Sequence, residues 1–184
     1  MRHDDPRTER ARLHTLSACL AALLLPCGVR AGNGHRQIGW NELVPPGWDA
    51  HQGLRDLPAD LDDLKDTDPR AKAMLDKLRQ TWDQAPVVAG LAGSDVKLPG
   101  YMVPLKVGKA GVSKFLLVPF FGSCVHSPPP PANQIVLCRS ARPLAGLRLM
   151  EAIWAEGRME LQRNPTSLGV AGYAMRLASA QKQL

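Results

Sequence analysis

The chain has 184 residues, of which 45% are hydrophobic and 22% charged, and carries a formal net charge of +6. That length favours one domain plus a peripheral segment. No run of like charge is long enough to form a tail, and the basic residues are scattered along the chain, which speaks against a nucleic-acid surface.

The peripheral segment is N-terminal. Arg7, Arg10 and Arg12 precede an apolar stretch from Leu13 to Pro26, and Val29-Arg30-Ala31 follows with small residues where a signal peptidase reads. This order predicts a signal peptide over residues 1–31, cleaved near Ala31, and a periplasmic or secreted mature protein. The run falls short of the roughly 20 apolar residues of a membrane span, so none is expected after cleavage. A buried N-terminal helix is the competing reading. A lipobox at Leu24-Leu25-Pro26-Cys27 fits poorly because proline precedes the cysteine. Cleavage would remove Cys19 and Cys27, together with five basic and three acidic residues. The remainder would hold 18 basic and 14 acidic residues, a net +4, and would keep Cys124 and Cys138 as its cysteines.

Residues 32–85 read as an extended arm followed by one amphipathic helix. Ile38, Trp40 and Leu43 alternate with polar residues, and Pro45-Pro46-Gly47-Trp48 ends that run. The two tryptophans are expected to pin the arm onto the domain. Asp56, Asp60, Asp62, Asp63, Asp66 and Asp68 lack the regular oxygen spacing of a calcium loop and read as a solvated acidic face. A helix should start at Asp68-Pro69, a capping residue followed by a proline suited to the first turn. Ala71, Met74, Leu75, Leu78 and Trp82 recur at helical spacing and predict one buried stripe, which Pro86 ends.

From residue 86 to 184 the pattern is that of strands. Val96, Leu98 and Tyr101 to Leu105 form the first, with interruptions expected at Pro99-Gly100 and Pro104. Gly108 to Gly111 is a turn. Phe115 to Phe120, apolar on both faces, is the second strand and Ile135 to Arg139 the third. A long fourth runs from Leu147 to Leu161. Val170 to Leu177 is the fifth, although Ala174 to Gln183 would also suit a helix. Five uneven strands predict a mainly β fold: a small five-stranded barrel like that of oligonucleotide- and oligosaccharide-binding (OB) domains.

The chemistry concentrates between the second and third strands. Phe121-Gly122 leads into Cys124-Val125-His126, then Pro128, Pro129, Pro130 and Pro131, then Asn133-Gln134. In extended backbone, residues two apart face the same side, so the Cys124 thiolate and the His126 imidazole can meet one ion. That donor pair suits zinc or copper. Two ligands leave the set incomplete, with Cys138 as the first candidate for a third, followed by His51, His35 or an acid of the arm. Four prolines fix their own φ and favour a polyproline II rod that would pre-position the preceding residues. A thiol enzyme with His126 as base and Asn133 orienting the ring is the competing chemistry. It is weakened because nucleophile and base share one short loop and no oxyanion device is visible. The third reading is a non-enzymatic module that docks a periplasmic protein or metal-transport component. Its contact surface would be the loop, with Tyr101, Phe121 and Gly122 beside it. Cys124 and Cys138 could alternatively form a disulfide.

The run Phe115-Leu-Leu-Val-Pro-Phe-Phe-Gly-Ser-Cys-Val-His-Ser-Pro-Pro-Pro-Pro-Ala-Asn-Gln-Ile-Val136 resembles the signature of the bacterial DUF3299 family. Pro99-Gly-Tyr-Met-Val-Pro-Leu105, Val170-Ala-Gly-Tyr-Ala174 and Ile38-Gly-Trp-Asn-Glu-Leu-Val-Pro45 are similar to it too. The resemblance covers about residues 38–178. It implies an exported protein with an OB-type barrel and no settled activity, and it links some members to periplasmic zinc handling. Ser123 and Val125 stand where the family pattern has alanine and isoleucine. Cys138 lies outside that pattern, which weakens it as a third ligand.

Overall fold

The computed structural model describes residues 34–51, 68–123 and 129–183. The expected signal segment, most of the aspartate cluster, Cys124, His126 and Pro128 lie outside the described residues.

The arm enters as a two-residue strand, β1 (Arg36–Gln37), followed by a 3-10 turn at Trp40–Leu43. Glu42 closes that turn by accepting from the Gly39 N–H at 2.9 Å. Helix α1 (Pro69–Asp83) begins as expected, with Asp68 Oδ1 accepting from the Arg70 N–H at 2.8 Å and Pro69 in the first turn. Its apolar stripe is not core, however. No residue of the helix is fully buried, and Leu75 is 43% exposed. The helix is held at its end instead: Trp82 Nε1 donates to Ala50 O at 2.9 Å, and Arg163 donates to the carbonyls of Asp83 and Ala85.

Five longer strands form the barrel: β2 (Asp95–Gly108), β3 (Gly111–Val118), β4 (Val136–Leu144), β5 (Ala152–Glu160) and, after the small hairpin β6 (Asn164–Thr166) and β7 (Gly169–Ala171), β8 (Tyr173–Lys182). They hydrogen-bond in the order β2-β3-β4-β8-β5, and β5 pairs back to β2, so the sheet closes. The β4–β8 pair is parallel and the other barrel pairs antiparallel. This closed five-stranded arrangement is of the OB type.

β2 serves two neighbours. Asp95–Tyr101 pairs with β5, and Tyr101–Gly108 pairs with β3. The expected break at Pro99-Gly100 is absent: the register runs unshifted through Pro99↔Trp154 and Gly100↔Ile153. Proline is tolerated there because β3 pairing begins only at Tyr101, so its missing N–H faces an unpaired side. The irregularities fall later, between Pro104 and Val107. β5 starts at Ala152, not Leu147, and the C-terminal stretch is strand, not helix.

Alternation along the strands fills the barrel with Leu98, Met102, Phe115, Leu117, Val136, Cys138, Ile153, Met159, Tyr173 and Met175. The outward residues Val103, Leu116, Val118, Leu137 and Ala174 form a second buried cluster with Ile135 and Ala171, against which the partly buried Leu168 packs. β3 therefore reads as apolar on both faces because both faces are covered.

Candidate functional site

The chain on both sides of residues 124–128 is anchored to the barrel. Upstream, Tyr101 pairs with Val118 in the β2–β3 ladder, and its ring meets Phe121 edge-on with centroids 5.7 Å apart. A turn follows, in which the Ser123 N–H donates to Phe120 O at 3.3 Å. Gly122 occupies it with φ of 83°, a conformation that side chains with a Cβ disfavour. Phe120 and Phe121 stand 67% and 71% exposed beside it.

Downstream, Pro129 lies against Gly169 of β7, where a Cβ would come within 2.7 Å of the proline Cβ. Ala132–Gln134 form a 3-10 turn in which Ala132 O accepts from the Gly172 N–H at 2.7 Å. Asn133 is fully buried and its Nδ2 donates to Pro86 O at 3.1 Å. Gln134 Nε2 donates to Trp40 O at 2.9 Å. Both amides thus turn inward and fasten the loop to the arm and to the segment after α1. Asn133 Oδ1 is buried with no hydrogen-bond partner.

Trp40 continues the staple, its Nε1 donating to Pro99 O at 2.7 Å. Gly100 makes this approach feasible. A Cβ there would lie 2.8 Å from the Leu117 side chain and from Val118 O, and 3.0 Å from the Trp40 ring. Trp40, Gly100, Tyr101, Pro119 and Gln183 line a shallow cleft of about 220 Å³. Sequence reasoning missed Tyr173, whose hydroxyl accepts from the Val88 N–H and donates to Leu43 O, each at 2.7 Å. A tyrosine at an inward position of β8, in line with Met175 and Leu177, was the available signal, since a buried phenol seeks a partner.

Of the other proposed ligands, Cys138 is a free thiol inside the barrel, fully buried, and burial pushes its pKa well up. A disulfide from Cys138 to Cys124 is therefore not formed, and a buried neutral thiol is a poor ligand. His35 Nδ1 lies 3.9 Å from Glu156 Oε2, and His51 Nδ1 lies 3.3 Å from Asp49 Oδ1. Among the described residues no three of His, Cys, Asp and Glu gather in one place.

The closed barrel and the stapled proline-rich loop define an OB-type domain with an N-terminal arm. The family model described as "Protein of unknown function (DUF3299)" matches residues 40–182, and the chain belongs to this family. It is similar to a DUF3299 family protein from Pseudomonas aeruginosa PAO1 known from a crystal structure, with 34% identity and a TM-score of 0.63. The match covers 83% of this chain and 98% of that one. No curated protein matches the chain.

Proposed function

We propose that this is an exported metal-binding or metal-trafficking protein whose Cys124 and His126 ligate zinc or copper. The observation that supports the reading is the bracing of the loop. Tyr101 and Phe121 hold its entry, and Pro129, Ala132, Asn133 and Gln134 hold its exit. A donor pair between fixed ends loses little conformational entropy when it meets an ion. Withdrawal of Cys138 into the core leaves Cys124 as the thiol adjacent to a histidine. A two-residue ligand set leaves coordination positions open, which suits transfer between proteins better than permanent storage.

Zinc and copper(I) stoichiometry should be measured on the full chain against Cys124→Ala and His126→Ala. Loss of one tight equivalent in each variant is expected. No site of micromolar or tighter affinity in the wild type, or one that survives both substitutions, overturns the reading. A second reading, docking of a partner protein on the loop, is favoured by the exposed Phe120 and Phe121. It predicts that Phe120→Ser/Phe121→Ser abolishes function while Cys124→Ser preserves it.

A further inference from the structure

Residues 96–150 contain seven lysines and arginines and no aspartate or glutamate. The fold gathers what looked scattered. Lys106 of β2 stands opposite Lys114 of β3, Lys114 opposite Arg139 of β4, and Arg139 opposite Arg176 of β8. Directly paired residues share a face of the sheet. Phe115, Cys138 and Met175, the next residues along β3, β4 and β8, point into the barrel, so the cations of those strands point out.

Like charges directly opposite one another destabilise a sheet. Part of this row is neutralised: Arg176 holds Glu160 at 2.6 Å. The β2–β3–β4 part is not. Arg139 donates only to neutral acceptors, Asn164 Oδ1 at 2.8 Å and Gln162 Oε1 at 3.4 Å. Lys106 and Lys114 make no ion pair with a described carboxylate, nor do Lys109 in the β2–β3 turn and Arg142 three residues beyond Arg139.

We propose that this outer face of β2, β3 and β4 docks on the phosphate headgroups of an anionic lipid surface. Neighbouring strands lie about 4.8 Å apart, so Lys106, Lys114 and Arg139 span roughly 10 Å across the face, with Lys109 in the adjoining β2–β3 turn. Long cationic side chains on a convex wall reach a flat anionic surface while their stems stay on the protein. A single-stranded nucleic acid is disfavoured, because among the described residues this row holds no aromatic side chain to stack a base, and the neighbouring Phe115 is buried in the barrel. The outward neighbours Leu116 and Leu137 are also buried.

The full chain should be co-sedimented with phosphatidylcholine vesicles and with vesicles in which half of that lipid is replaced by phosphatidylglycerol. The apolar stretch Leu13 to Pro26 and the arginines before it are common to the wild type and every variant, so the change in anionic-vesicle binding between wild type and variant reports the basic face. Lys106→Gln and Lys114→Gln should each weaken the anionic-vesicle binding about fivefold and together about thirtyfold, from roughly 1 kcal/mol per cation near such a surface. Raised salt should abolish the difference. The paired variant Lys72→Gln/Lys77→Gln on α1 serves as the control and should bind like the wild type. Urea unfolding should show the β-face double variant no less stable than wild type, because a like-charge pair has been removed. Equal binding to both vesicle types, equal loss in the α1 control, or tighter binding to a single-stranded oligonucleotide than to anionic vesicles overturns the proposal.

Discussion

Tyr173→Phe removes one oxygen atom and tests how the arm is held to the barrel. The hydroxyl is the sole bridge between Leu43 O, in a residue with no exposure, and the half-buried Val88 N–H. Leaving a buried backbone group unpaired costs about 1–3 kcal/mol. Leu43 O has no water to fall back on and takes the full penalty, whereas the Val88 N–H can regain solvent and takes the lower end. The expected loss is about 2–4 kcal/mol, which for an m-value near 2 kcal/mol/M lowers the urea midpoint by about 1–2 M. The bridge also has a pH signature. Burial raises the Tyr173 pKa above its ordinary value of 10.0, while the Val88 N–H pulls it back. A group whose pKa is raised on folding contributes its full stability below its unfolded pKa and loses it as pH rises through the folded value. Wild-type stability should therefore fall from about pH 10 upward, and Tyr173→Phe should lack that part of the decline. The assay is urea unfolding followed by circular dichroism at neutral and alkaline pH, with limited proteolysis reading release of the arm. A midpoint within about 0.3 M of wild type would refute the bridge.

Two further outcomes follow from buried and paired groups. With Cys19, Cys27 and Cys124 replaced by alanine, Cys138 should resist a thiol reagent at pH 8 and react at once in denaturant, because burial holds it as the neutral thiol. Rapid labelling in native buffer would contradict its place in the core. Glu156 receives Lys97 Nζ at 3.0 Å and Ser179 Oγ at 2.9 Å, and these contacts hold its carboxyl below the ordinary 4.5. Its contribution is present above about pH 4.5 and is lost as pH falls through the depressed value, so Glu156→Gln should flatten the acid limb of the stability profile. An unchanged acid limb would show that the pair carries no weight.

The barrel was legible because period-two alternation survives in β2, β5 and β8, and because glycine and proline mark most of the ends. What misled were residues whose meaning depends on a partner far along the chain. Pro99 looks like a break until one sees that its unpaired side receives Trp40. The stripe on α1 has core spacing, yet the helix meets the rest of the protein chiefly through Trp82 and the carbonyls at its C-terminal end. Lys106, Lys114 and Arg139 are 8 and 25 residues apart in sequence, and no local pattern aligns them. Only the strand register does.

The same logic explains what the motif residues are for. Trp40, Gly100, Tyr101, Asn133, Gln134 and Tyr173 all lie in the segments that resemble the family. Few of them present a reactive group to solvent. Trp40 and Gly100 meet at Pro99, Gln134 reaches Trp40, Asn133 reaches Pro86, and Tyr173 ties Leu43 to Val88. They form one connected frame that fastens three distant segments to the two ends of the Cys124-Val125-His126 loop. Such a frame costs buried polar groups, and Asn133 Oδ1 remains without a partner. The inward-turned amides make sense if what must be held constant is where the chain leaves the barrel at Ser123 and returns to it at Pro129.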